Sequence, residues 1–174
     1  MDILTNLDEI VDYPDKITLA LSQDQTVVGL LLDNPNIDMI NDEPKTLGTQ
    51  IFDYNFIPDA QTDSLSYITI DTVVSNAKND ITKMLNIIVT VISNKTNMKL
   101  EPTIFQGVSG NRRDNLIRYT DLVIRRMDNL GLGKLQLSPR TPIAPVSIGS
   151  TKGSTNYTAK QLVYEIPNFD RRVK

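Results

Sequence analysis

The chain has 174 residues, of which 40% are apolar and 22% charged, with a formal net charge of −3 and a pI of about 4.9. That length suits one compact domain with a core of its own, and the mix of apolar and charged residues excludes a disordered chain. Neither Cys nor His occurs, which removes disulfides, thiolate chemistry, Ser-His-Asp and Cys-His catalysis and most zinc sites together.

Ile3, Leu4, Leu7, Ile10 and Val11 recur at helical spacing and predict a short amphipathic extension over residues 1–13. Pro14 then interrupts or restarts the chain, since Pro suits the first turn of a new helix. Ile17, Ala20, Leu21, Val27, Val28, Leu31 and Leu32 share one face and predict a helix from Asp15 to about Asp33, closed by Asn34-Pro35, with Gly29 a weak point inside it. Residues 36–48 are polar and contain Pro44, so they read as a loop. Ile51–Tyr54 and Phe56–Pro58 give a short extended piece, and Pro58 places it at a sheet edge or strand end.

The run Leu65–Val74 alternates Ile68, Ile70 and Val74 against Tyr67, Thr69 and Asp71, which predicts a strand. A turn at 76–80 leads into Ile81–Ser93. There Leu85, Ile87, Val89 and Val91 lie on one face and Met84, Ile88 and Ile92 on the other. A strand apolar on both faces belongs in mid-sheet, covered on both sides or buried by a neighbouring subunit. A helix starts at Asn111, where Asn suits the N-cap and Asp114 meets the positive end of the helix dipole. Leu116, Ile117, Thr120, Val123, Ile124, Met127 and Leu130 form its apolar stripe, Asp114/Arg118 and Asp121/Arg125 are acid-first i,i+4 pairs, and Gly131 and Gly133 end it. Leu135 and Leu137 alternate with polar residues as a half-buried strand. Residues 139–155 read as a long loop, 157–166 as a final strand, and 170–174 as a basic tail.

The predicted fold is a single α+β domain spanning residues 1–174. Its mainly antiparallel sheet has four to five strands with helices packed on one face, in the order α-β-β-β-α-β-β, and the loops are long.

Glycine-rich stretches invite chemical readings that their contexts reject. Gln106–Gly110 has the outline of a nucleophile elbow around Ser109, but the chain has no His to serve as base, so it reads as a turn entering the helix at Asn111. Gly131-Leu132-Gly133-Lys134 lies after a helix and before a strand, the reverse of a phosphate loop, and Gly149–Gly153 fails the same test. The acidic residues Asp8-Glu9, Asp42-Glu43 and Asp53 are scattered, and no pair is forced onto one apolar wall for acid–base work. Spacing alone leaves open a Mg²⁺ or Ca²⁺ site built from distant carboxylates. The expectation is a protein without cofactor, metal centre or catalytic residue.

The acidic whole lacks the basic footprint of a nucleic-acid binder. The first residues carry no basic n-region or sustained apolar h-region, and the longest apolar stretch, 84–92, is half a membrane span, so synthesis and retention in the cytoplasm are expected. Arg112, Arg113, Arg118, Arg125 and Arg126 crowd one segment with more guanidinium than two ion pairs use. A solvated face is one reading. An inter-subunit contact through Arg118, Arg125 and Arg126 is the functional one, and DNA passing through a ring is a third. The stretches 94–110 and 139–155 exceed ordinary loop lengths, and Ile143, Val146 and Ile148 give the second apolar side chains suited to packing on a neighbouring copy.

An ordered set of short matches extends over most of the chain, from about Lys16 to Phe169. It comprises the helical region ending Asn34-Pro35, then Ile51-Phe52-Asp53-Tyr54-Asn55-Phe56-Ile57-Pro58 and Ser66-Tyr67-Ile68-Thr69-Ile70-Asp71. The strand 85–92, the helix opening Asn111-Arg112-Arg113-Asp114-Asn115-Leu116, Leu132-Gly133-Lys134-Leu135 and Leu162–Phe169 complete it. In this order the segments resemble the tail-terminator and head–tail joining (neck) proteins of long-tailed bacteriophages. The resemblance implies a structural virion protein, assembled in the host cytoplasm, that forms a ring, commonly six-fold. Such a ring caps the tail tube and meets the head-side connector or stopper, and DNA passes through it. The loop 139–155 and the N-terminal helix depart from the pattern, which keeps a head-side stopper or adaptor, or another tail component, in view. A small carboxylate-dependent metal hydrolase or nuclease is the alternative from another class.

Overall fold

The computed structural model describes residues 8–42, 44–56, 65–76, 83–101, 103–105, 107–127, 135–139, 141–146 and 156–166. Within them lie helices α1 (Asp8–Ser22), α2 (Gln25–Leu32) and α3 (Arg112–Arg126). The strands are β1 (Ile51–Phe52), β2 (Ser66–Asn76), β3 (Lys83–Asn94), β4 (Gln136–Leu137), β5 (Pro145–Val146) and β6 (Tyr157–Ile166). They form one six-stranded sheet in the order β1-β2-β3-β6-β4, with β5 also pairing to β6. The β1–β2 pair is parallel and the others are antiparallel. This is the expected α+β architecture with helices on one face; the predicted short extended piece supplies β1 as a parallel edge strand, and the loop 139–155 adds the sixth strand, β5.

Period-two patterning decides which side chains the helices cover. Ile68, Ile70, Leu85, Ile87, Val89, Val91, Leu162 and Tyr164 share the helix-side face and join Ile17, Leu21, Leu30, Leu31, Leu116 and Ile124 in the main core. Ile87 and Val89 are fully buried, as their central strand predicts. On the opposite face a smaller cluster of Phe52, Tyr67, Ile92, Tyr157 and Ala159 fills one end, with the Phe52 and Phe56 rings stacked at 4.3 Å. Beyond it the face is partly exposed. Ile88 and Val163 are half-buried, Val73 is 43% exposed, and Gln161 donates to the Thr90 hydroxyl at 3.1 Å between them. Among the described residues, helices therefore cover one of the two apolar faces of β3.

Three boundaries differ from the sequence expectation. First, α1 runs straight through Pro14. A proline there removes one helical hydrogen bond, but Tyr13, Ile17 and Leu21 are buried in the core and hold the turns on either side. Second, the helix predicted from Asp15 to Asp33 is two helices, because Asp24 caps the second. Its carboxylate accepts from the Thr26 and Val27 amides, each at 3.0 Å. Third, α3 ends at Arg126, with Met127 extended as its C-cap, while Leu130, Gly131 and Gly133 lie outside the described residues.

Gly29 has a packing role. A Cβ on it would approach the Asn34 carbonyl oxygen to 2.8 Å and the Pro35 Cα to 3.2 Å, because the chain leaving α2 folds back over the helix. Asp33 makes that reversal in a left-handed conformation, φ 59°, and the Asn34 amide donates back to the Gly29 carbonyl at 2.9 Å. Gln50 joins α2 to the sheet, donating from Nε2 to the Leu31 and Ser66 carbonyls at 2.9 and 3.0 Å.

The stretch 94–110, longer than an ordinary loop, is held by its own domain. Leu100 and Phe105 are buried in the main core, Lys99 bridges to Asn111, and the Arg112 amide donates to the Met98 carbonyl at 2.8 Å. Its end is the expected turn into α3, with Gly107 and Gly110 at φ 77° and 95° and the Asn115 side-chain Nδ2 donating to the Ser109 carbonyl at 2.8 Å.

Candidate functional site

The arginines of α3 separate into two groups by burial. Arg112 is 1% exposed. Its guanidinium donates to the Asn97 carbonyl at 2.8 Å, to the Leu30 carbonyl and to the Asp33 carboxylate, and it lies over the Phe105 ring at 5.4 Å. It is an internal clamp between α2, α3 and the 94–110 stretch, a role its neighbours in sequence do not announce. Arg113 donates to the Thr158 hydroxyl at 2.6 Å and pairs with Asp114 at 3.2 Å.

Asp114 turns to Lys160 of β6 at 2.7 Å instead of the i,i+4 Arg118 suggested by spacing. Partial burial raises the pKa of Asp114, but hydrogen bonds from Lys160, Asn111 and Arg113 and the Lys160 charge outweigh that and hold it below its ordinary 3.8. At the other end of α3, the buried Tyr164 hydroxyl donates to Asp121 at 2.9 Å and Arg125 pairs with the same carboxylate at 2.8 Å, the i,i+4 pair that spacing predicts. Burial, then the Asp121 charge and hydrogen bond, push the Tyr164 hydroxyl far above the ordinary tyrosine range, so it remains a donor.

Arg118, Arg125 and Arg126 face outward, all three exposed. Arg118 lies over the Tyr119 ring at 5.2 Å, an arrangement that leaves guanidinium donors free for a further partner. Tyr119 lines an open cleft of about 640 Å³, between the start of α2, the turn after it and residues 103–108. Gln25, Thr26, Asn36 and Thr103 give it polar walls, Leu30 and Phe105 are buried behind the surface, and Ile104 stands at 48% exposure in the lining.

Beside this cleft is a tight acidic turn. Asp38 accepts from the Ile40 and Asn41 amides at 2.9 and 3.1 Å, and Asp42 accepts from the Asp38 amide at 2.9 Å. The hydrogen bond from the Asn41 amide, with those from the Asn41 side chain and the Ile40 amide, keeps the Asp38 carboxyl below its ordinary range. Ile37 anchors the turn in the interior, and Gln25 donates to its carbonyl at 3.0 Å. At the tip Ile40 is 83% exposed. In sequence it follows Met39, with Ile37 three residues earlier, inside a stretch of Asp and Asn, a pattern too common to single out from sequence alone.

Of the three apolar residues expected to point to a neighbour from the loop 139–155, Val146 packs against the smaller cluster of its own domain and pairs through β5 with β6. Ile143 is 47% exposed, and Ile148 lies outside the described residues, as do Gly131-Lys134 and Gly149–Gly153. Among the described residues no group of three or more His, Cys, Asp or Glu is placed to hold a metal ion, and no helix is long and apolar enough to cross a membrane.

The family model of YomW matches residues 17–166, from the middle of α1 to the last residue of β6. The chain belongs to the YomW family. The matched region therefore takes in the whole sheet and both α2 and α3, with the cleft and the Ile40 turn inside it. YomW proteins are phage-derived, of the Bacillus prophage type, and the chain is accordingly a phage-related protein. No curated protein and no solved structure matches it.

Proposed function

We propose that this YomW-family protein is a structural virion subunit of a tailed phage. It forms a ring that terminates the tail tube and joins it to the head connector, with a head-side stopper or adaptor as the neighbouring role. The observation that carries the proposal is the uneven covering of the sheet. Three helices bury one face, while Val73, Ile88 and Val163 on the other meet water in the lone domain. A subunit stacked in a particle covers such a face on assembly, and an apolar strand centre is what a stable contact there uses. Membership of a phage-derived family supports the same reading.

The ring's partners are further copies of this chain, the tail tube protein and the head-side connector. Removing the gene from a producing phage is the direct test. A terminator's loss yields tails that do not stop at one length and filled heads without tails, while a stopper's loss yields heads that release DNA. Joined, infectious particles of normal tail length in its absence would remove both roles.

A further inference from the structure

We propose that the Ile40 turn of one copy seats in the Tyr119 cleft of an adjacent copy, as a lateral contact of the assembly. The ring reading above supplies only the identity of the partner. Ile40 is the most exposed of the large apolar side chains described, so it does not occupy the cleft of its own chain, although Asn36 of the same loop lines that cleft. Its turn is prepared for binding. The Asp38 and Asp42 hydrogen bonds fix the backbone, Ile37 anchors it beneath, and little order remains to be imposed when a partner arrives. The cleft offers a mixed surface, in which roughly half of Ile104 lies in water beside the partly buried Val108, flanked by the polar Gln25, Thr26, Asn36 and Thr103.

Charge selects the pairing. The knob carries the acidic side chains Asp38 and Asp42, and Arg118 holds its guanidinium over the ring of Tyr119, which lines the cleft. Acidic rim against basic rim steers the two patches together and disfavours knob against knob. One chain carries both halves. Repeated by rotation, a contact between two different patches forms a ring where the rotation closes and an open filament where it does not, whereas placed about a two-fold axis it pairs two copies reciprocally.

The absence of cysteine makes a direct test available. Full-length chains carrying Ile40→Cys and, separately, Ile104→Cys under a different tag are mixed and mildly oxidised, with Val11→Cys plus Ile104→Cys as the collision control. The mixed Ile40–Ile104 disulfide should form well above that control. In parallel, Ile40→Asp and Arg118→Glu, both at exposed positions that leave the fold intact by circular dichroism, should each weaken self-association by about tenfold or more in a dilution series. A wild-type ring that persists unchanged in both variants, with no disulfide above control, overturns this contact and leaves the ring reading standing. A closed dimer that links and dissociates as described supports the contact and sinks the ring. Wild-type protein monomeric at the highest concentration, with no link, overturns both.

Discussion

Arg112 joins three segments far apart in the chain, and its surroundings explain why its loss should be costly. Truncating it leaves the Leu30 and Asn97 carbonyls without their donor and opens space beside Phe105, while half-exposed Asp33 returns to water at little penalty. Arg112→Met should lower stability by about 2–4 kcal/mol in urea unfolding, and Asp33→Asn by less than about 1 kcal/mol. Equal effects would mean that the ion pair, not the carbonyl contacts, dominates. Gly29→Ala is a second residue-scale test. Helix propensity alone favours Ala, but the 2.8 Å approach to the Asn34 carbonyl forces the chain reversal apart, so a net loss of about 1–3 kcal/mol is expected. A stabilised Gly29→Ala protein would show that the α2 exit moves freely. Neither role could be read from sequence. Arg112 stands among surface arginines with the same local pattern, and a glycine required for a close approach looks like a glycine that merely weakens a helix.

At the scale of elements, α3 is fastened to β6 at both ends, by Asp114–Lys160 and Arg113–Thr158 at its start and by Tyr164–Asp121 near its finish. The folded-state pKa of Asp114 is depressed, so its contribution is fully present above the unfolded value of 3.8 and is lost as pH falls through the lower folded value. Asp114→Asn should therefore reduce stability at neutral pH while flattening the loss that wild type shows below about pH 4. Parallel pH curves for the two proteins would contradict the pairing. Tyr164→Phe removes one buried hydrogen bond to Asp121 and should cost about 1–2 kcal/mol. The long elements were legible because their periodicity is sustained. Leu85 to Val91 and Leu116 to Ile124 mark β3 and α3 by apolar repeat alone, and Asn111 marks the cap. The division of α1 from α2 was not, since a capping Asp24 inside a continuous apolar stripe competes with that stripe and only packing decides between them. β1 and β4 fall inside stretches that the sequence marks as extended, but β5 is two residues in a Pro-rich stretch, too short for any period, and the parallel pairing of β1 with β2 is a contact that no local pattern encodes.

For the whole molecule, the sheet is both the source of stability and the surface left over. Val89→Asp would place an unpaired carboxylate in the main core and should leave little folded protein, a loss of several kcal/mol, roughly the size of a small domain's whole stability. On the other face Val73, Ile88 and Val163 tell a different story, because the apolar strand centre that sequence expects to be covered is covered on one side only. Sequence could read the demand for cover but not who supplies it. The most direct measurement is the mass of the wild-type protein under native conditions across a dilution series, with images of the same sample. A closed ring of several copies, six under the proposed neck role, is the predicted result. A monomer at every concentration, still monomeric when mixed with tail tube protein, would contradict it.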